Sequence, residues 1–242
     1  MKDLSLENHS LELTGIHIAS LDSRIYPLLR LIRNSSRSLV LKSAKQDSDL
    51  RLGAYIRHQV NVPEIYERGN DYNVSRIYGI DKIFPWLNEL LQPYLNQAKV
   101  SKYYSGPYHH SVSWYQYNSS NPLVPTRGPH VDCPQYRAQL KYIIYLDDVC
   151  LDNGPFCHYA GTHTKQFVDV VSAHYQKTGS TDVPPELLSD HSTFGIVCSA
   201  PFGTLIVSDV GAVHHGMPQI NGDRNILMGS LFPFPIKQNM GY

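Results

Sequence analysis

Cysteine and tryptophan are scarce in this 242-residue chain, with four Cys and two Trp. The cysteines, Cys133, Cys150, Cys157 and Cys198, form no C-x-x-C pair, which excludes a zinc ribbon or a thioredoxin-type motif. No apolar run approaches membrane-spanning length. The opening stretch MKDLSLENHSLELTG lacks the apolar segment of a secretory signal. The expectation is therefore a cytoplasmic protein with free thiols and no membrane partner. Net charge is missing as well, because 21 Lys+Arg balance 21 Asp+Glu. Without a basic field no nucleic-acid partner is expected, and without an acidic tract no disordered tail. Internal repeats and low-complexity segments are absent.

Tyrosine is plentiful, at 17 residues against 7 Phe. It suits half-buried strands and polar-lined pockets without naming a ligand. The length allows a sizeable core without staples. With no sharp linker, residues 1–242 read as one domain, 1–110 mixing helices and strands and 111–233 forming a β-rich core. In the first part, LDSRIYPLLRLIRN sets Leu21, Ile25, Leu28, Leu29 and Ile32 at helical spacing. DKIFPWLNELLQPYLNQA repeats the pattern, with Pro85 tolerable in a first turn and Pro93 expected to kink or divide the helix. Between them SLVLKS and AYIRHQV read as short strands.

From about residue 111 short β-like runs recur: SVSWYQYN, QLKYIIYL, GPFCHYA, FGIVCS, GTLIVSD, GAVHHG and RNILMGSLF. Gly, Pro, Asn and Asp punctuate them, which argues for a sandwich, jelly roll or barrel. One helical insert, about 164–191, interrupts the series. Its TKQFVDVVSAHYQKTG puts Phe167, Val170, Val171 and His174 on one face and Gly179 at the stop. Long inserts carry function, so the N-terminal third and this insert are expected to wall and cover a pocket.

The stretch GPHVDCPQYRAQLKYIIYLDDV contains His130 and Asp132 just before a strand. Residues two apart in extended chain share a face, so both can reach one metal ion. Alone, an H-x-D is as readily a polar turn as half a metal site. The C-terminal half adds His214 and His215, with Arg224 ten residues after His214. Two imidazoles and one carboxylate on one face of an octahedron leave positions open, as an oxygen-activating iron(II) requires.

These segments together resemble the phytanoyl-CoA dioxygenase-like family of Fe(II)/2-oxoglutarate-dependent oxygenases. The matching residues are HVD at 130–132, LKYIIYLDDVCLDNGPFCHYAGTH at 140–163 and FGTLIVSDVGAVHHGMP with GDRNIL within 202–227. The resemblance implies a mainly β fold, a double-stranded β-helix (jelly roll) core with flanking helices. It implies Fe(II) as metal, 2-oxoglutarate and O2 as cosubstrates, and ascorbate as a stimulant.

Under that resemblance His130, Asp132 and His214 hold the iron. His214 is preferred to His215 because Gly216 and Pro218 complete H-x-G-x-P, and adjacent strand residues face opposite ways. Arg224 fits the far carboxylate of 2-oxoglutarate through its guanidinium fork. Gln116 and Asn118 are expected to help at the near end, the alternative being that Tyr115 and Tyr117 face the core and the amides face solvent. In LKYIIYL, Ile143 lines the cosubstrate side, which turns Lys141 and Tyr145 inward with it. Lys141 then meets a carboxylate, or else is a surface lysine at a sheet edge. Asn153 and Gly154 read as a turn needing positive φ. Cys133 reads as packing, and His109, His110, His158 and His163 as turn or surface residues.

With Asp132 present the implied outcome is hydroxylation, with desaturation or ring closure sharing its first step. A small metabolite from amino-acid or natural-product metabolism is the expected substrate, and a peptide or protein side chain the alternative. Two rival readings remain: a zinc or manganese cupin-type enzyme, and a metabolite-binding non-enzyme. The sequence does not give the oligomeric state.

Overall fold

The computed structural model describes residues 9–46, 58–59, 64–68, 74–120, 127–132, 139–190 and 193–235. In chain order the elements are α1 (Leu11–Thr14), β1 (Ile16–Ser20), a 3-10 turn (Ser23–Ile25), α2 (Tyr26–Gln46), β2 (His58–Gln59), β3 (Glu64–Arg68), β4 (Val74–Tyr78), α3 (Ile80–Ile83), α4 (Leu87–Gln97) and α5 (Val100–Tyr103). Then come β5 (His109–Asn118), β6 (Leu140–Tyr145), β7 (Phe156–Tyr159), α6 (Lys165–Thr178), α7 (Pro185–Asp190), β8 (Gly195–Cys198), β9 (Thr204–Asp209), β10 (His214–Gly216) and β11 (Arg224–Phe232).

The strands form two antiparallel sheets. The larger runs β1-β9-β6-β11-β5-β4-β3-β2 and the smaller β10-β7-β8. This is mainly antiparallel β-structure with flanking helices, the jelly-roll arrangement. Strands from both ends of the sequence interleave, since β1 pairs with β9 and β5 with β11.

The two-residue period of the strands sorts side chains into two cores. One face of the large sheet carries Ile77, Tyr115, Tyr142, Ile144, Leu205, Leu227 and Leu231. It packs against Leu29 and Ile32 of α2 and Leu87, Leu91 and Leu95 of α4. The opposite face carries Ile16, Ile18, Ile143, Tyr145, Ile206 and Ile226, which meet Phe156, Ile196 and Cys198 of the small sheet. A third cluster joins Phe167 and Val171 of α6 and Leu188 of α7 to Val131 and Val213.

Several sequence expectations change here. SLVLKS is not a strand, because α2 continues through it to Gln46. Leu29, Ile32, Ser36 and Val40 are buried along one stripe at intervals of three and four, a helical period that outweighs local β propensity. Pro93 does not divide its helix but lies inside α4. The break falls earlier, at Phe84–Trp86, where Pro85 follows the end of α3. Of AYIRHQV only His58–Gln59 is described, as β2, and the remainder lies outside the described residues. The α6 insert ends as expected at Gly179, in a left-handed cap. It packs against Val131 and Val213.

Candidate metal centre

Local backbone pairing brings the two histidines together. His130 N donates to His214 O at 3.0 Å and His214 N to His130 O at 2.9 Å. His130 thus adds a bridge to the edge of the small sheet beside β10. Asp132 N is held by Val210 O at 3.1 Å. The AGTH turn fixes the other flank, because Thr162 Oγ1 accepts from Val213 N at 2.9 Å. Val131 and Val213, next to the histidines, are the residues that α6 and α7 pack against.

His130, Asp132 and His214 each offer a ligand atom, and these atoms lie within 4.8 Å of one another. Both imidazoles are oriented in the same way. Nδ1 of His130 donates to Gly128 O at 2.8 Å and Nδ1 of His214 to Ala212 O at 3.0 Å. A carbonyl only accepts, so each Nδ1 carries the proton and each Nε2 presents its lone pair. The two Nε2 atoms lie 3.6 Å from Asp132, one on each carboxylate oxygen. That is too long for a hydrogen bond and leaves room for a cation between three donors. Burial lowers the His130 pKa, against the pull of Asp132, favouring the neutral ligand form. Burial opposes the charge of Asp132, but Lys141 and the two histidines outweigh it and hold the carboxyl well below its ordinary range. This donor set fits a divalent metal.

Arg224 opens β11 on the same inner face, opposite Asn118. It is 7% exposed, and its Nε is buried without a hydrogen-bond partner. No carboxylate pairs with it among the described residues, and burial presses its pKa down. Its guanidinium lies between two glycines. A Cβ on Gly154 would come within 3.6 Å of Nη1 and one on Gly216 within 3.6 Å of Nη2. Gly154 also has φ 75°, in the turn where Asn153 Oδ1 accepts from Cys150 N at 2.7 Å. Asp147 anchors the next residue by accepting from Asn225 N at 2.8 Å.

Gln116 and Asn118 are buried on this inner face, and Gln116 Nε2 donates to Asn118 Oδ1 at 2.9 Å. Arg76 Nε donates to Gln116 Oε1 at 2.7 Å. Tyr115 is buried on the other face under the helices, so β5 is covered on both sides rather than having a solvent face. Ile143 lies in the core between the sheets. The Tyr145 hydroxyl is engaged in joining the sheets, donating to Cys198 O at 2.8 Å and accepting from Phe156 N at 3.0 Å. Lys141 faces inward from a central strand, not a sheet edge, and its ammonium bonds Asp132 Oδ2. His215 turns to the opposite face, against the ring of Tyr159.

His158 is not a turn or surface residue. It is fully buried in β7, with Nε2 on Thr14 O at 2.9 Å and Nδ1 on Ser208 Oγ at 3.0 Å. His109 and His110 begin β5. Cys133 lies outside the described residues. Trp114 is an addition to the site. It shares the inner face with Gln116 and Asn118 by the same two-residue period, so the signal was present in WYQYN.

No family model matches the sequence, and no curated protein sequence is significantly similar to it. Solved structures do match. SnoK, a non-haem α-ketoglutarate-dependent carbocyclase from nogalamycin biosynthesis, is 13% identical, with TM-score 0.60 over 94% of this chain and 85% of its own. EctD from S. alaskensis with bound Fe is 13% identical, with TM-score 0.62 over 92% and 74%. HygX from Streptomyces hygroscopicus, with nickel and 2-oxoglutarate bound, is 14% identical, with TM-score 0.56 over 92% and 84%. At these identities the likeness is one of fold: the chain shares the jelly roll of these three proteins across nearly its whole length.

Proposed function

We propose that the protein is a non-haem Fe(II)/2-oxoglutarate-dependent oxygenase that oxidises an unactivated C–H bond of a small metabolite, most simply by hydroxylation. One observation carries the reading. The His130–Asp132–His214 cluster stands near a buried Arg224 that has no partner among the described residues, with Gly216, two residues after His214, against its guanidinium. A metal hydrolase has no need of such an arginine, whereas an oxygenase that binds a dicarboxylate beside its metal does. A buried guanidinium without an anion is a costly arrangement, and a ligand carboxylate resolves it.

His130 and His214 would bind iron through Nε2, since their Nδ1 protons are held by backbone carbonyls. Asp132 completes the three-ligand face. Iron with 2-oxoglutarate and O2 supplies an oxidant able to take a hydrogen atom from an unactivated C–H bond. Arg224 would grip the far carboxylate of 2-oxoglutarate, with Gly154 and Gly216 leaving space around its fork. Asn118 and Gln116 stand beside it, and Ile143 and Ile226, in the core between the sheets, would help to keep water from a bound cosubstrate. Tyr145 would act at one remove, by holding the sheets at their spacing.

The fold neighbours support a small-molecule substrate. SnoK belongs to nogalamycin biosynthesis, and EctD has been solved with 2-oxoglutarate and 5-hydroxyectoine. The narrower kinship with the phytanoyl-CoA dioxygenase-like branch rests on the HVD, DNGP and H-x-G-x-P motifs. Purified protein with Fe(II), 2-oxoglutarate and ascorbate is expected to release succinate when offered a metabolite panel. No succinate above a His130→Ala control would overturn the reading.

A further inference from the structure

β6 turns Lys141, Ile143 and Tyr145 in succession toward the small sheet. Lys141 sits opposite Ser230 of β11 and Ser208 of β9, and 17% of its side chain is exposed. Its ammonium bonds Asp132 Oδ2 and lies 5.5 Å from the centroid of the Trp114 ring. Trp114 is 7% exposed, and its indole N–H is buried without a hydrogen-bond partner among the described residues. A cation held by a metal ligand therefore lies beside the indole at one edge of the metal centre.

Their position separates them from Arg224. Ser230, the partner of Lys141, is six residues after Arg224 on the same strand and the same face. At about 3.3 Å per residue the two points are roughly 20 Å apart along β11. From that end the Lys141 ammonium reaches the metal ligand Asp132. A 2-oxoglutarate held by Arg224 would have neither carboxylate left for Lys141, one being taken by the guanidinium and the other by the metal. Charge balance gives the same answer. A divalent metal, the Asp132 carboxylate, a 2-oxoglutarate dianion and the Arg224 guanidinium sum to zero. Lys141 then adds one uncompensated positive charge in a largely dry site, which calls for an anion.

We infer that Lys141 and the indole N–H of Trp114 form a recognition site for a carboxylate carried by the substrate, on the side of the metal away from Arg224. The inference rests on the oxygenase reading above and names its substrate class: small molecules bearing a carboxylate near the carbon to be oxidised. One ammonium and one N–H suit a monoanion with two oxygens, whereas a phosphate dianion requires more donors. Holding that carboxylate fixes which C–H bond faces the metal.

The test uses the full chain loaded with Ni(II) and 2-oxoglutarate. It is titrated calorimetrically with straight-chain and aromatic monocarboxylates and with their primary amides. Carboxylates are expected to bind roughly tenfold or more tightly than the matching amides. Lys141→Met should erase the difference and Lys141→Arg should keep part of it. Equal affinities in the wild-type chain, or no binding of any acid, would overturn the inference without need of a variant. Loss of 2-oxoglutarate binding in Lys141→Met would also overturn it, by assigning the lysine to the cosubstrate. Failure of the wild-type chain to take up Ni(II) and 2-oxoglutarate is visible before any acid is added, and sinks the oxygenase reading instead.

Discussion

At the scale of single residues, burial decides chemical state. His158 has no exposed surface, and burial pushes its pKa down to about 3. The fold therefore holds the neutral ring, while the unfolded chain takes up a proton near its ordinary value of 6.5. The stability gained is complete above pH 6.5 and is lost as pH falls toward 3, by up to about 1.4 kcal/mol per unit. Urea melts of EDTA-treated protein at pH 7 and pH 4.5 should show this acid loss, and His158→Gln should make it shallower. Arg224 gives a second case. Lys at this position keeps the charge but not the fork, so Arg224→Lys should raise the KM for 2-oxoglutarate by roughly 10- to 100-fold while Ni(II) affinity holds. The H-x-D pair was legible because the rule that brings its members together spans two residues. The burial of His158 was not, because it depends on Thr14 arriving from 144 positions away.

At the scale of elements, strand pairs carry constraints that period alone does not reveal. Gly229 of β11 sits opposite Tyr142 of β6. The tyrosine ring lies across it, so a Cβ there would overlap the ring. Tyr142 is almost wholly buried and has nowhere to move. Gly229→Ala should cost about 1–3 kcal/mol in chemical denaturation, and Tyr142→Leu in the same chain should return part of it. The strands after residue 111 were legible because Gly, Pro and Asn mark their ends and their apolar residues alternate. SLVLKS was misleading because six residues cannot separate a β-run from the inner stripe of a long helix. The buried stripe Leu29–Ile32–Ser36–Val40 separates the two, and it includes a serine that no apolar pattern would count.

At the scale of the whole molecule, a bound metal ties together His130 and Asp132 on one segment and His214 on β10. A ligand that binds only the folded chain stabilises it by mass action. At a hundredfold excess over Kd the gain is about 2.7 kcal/mol, which is a rise of roughly 5–10 °C in Tm for a chain of this size. Ni(II) should produce such a rise, EDTA should reverse it, and His214→Ala should abolish it, all by thermal melts. No described helix is long and apolar enough to cross a membrane.

The interleaving of strands also has a consequence during synthesis. β6 leaves the ribosome before either of its sheet neighbours, β9 and β11, has been translated. Its apolar residues and both its backbone edges then stand open, the condition in which nascent chains associate wrongly. His130 likewise waits for His214 before its backbone is paired. A released fragment ending between residues 146 and 203 therefore carries a finished strand with no partner on either side, and is expected to depend on chaperones more than one ending after residue 232.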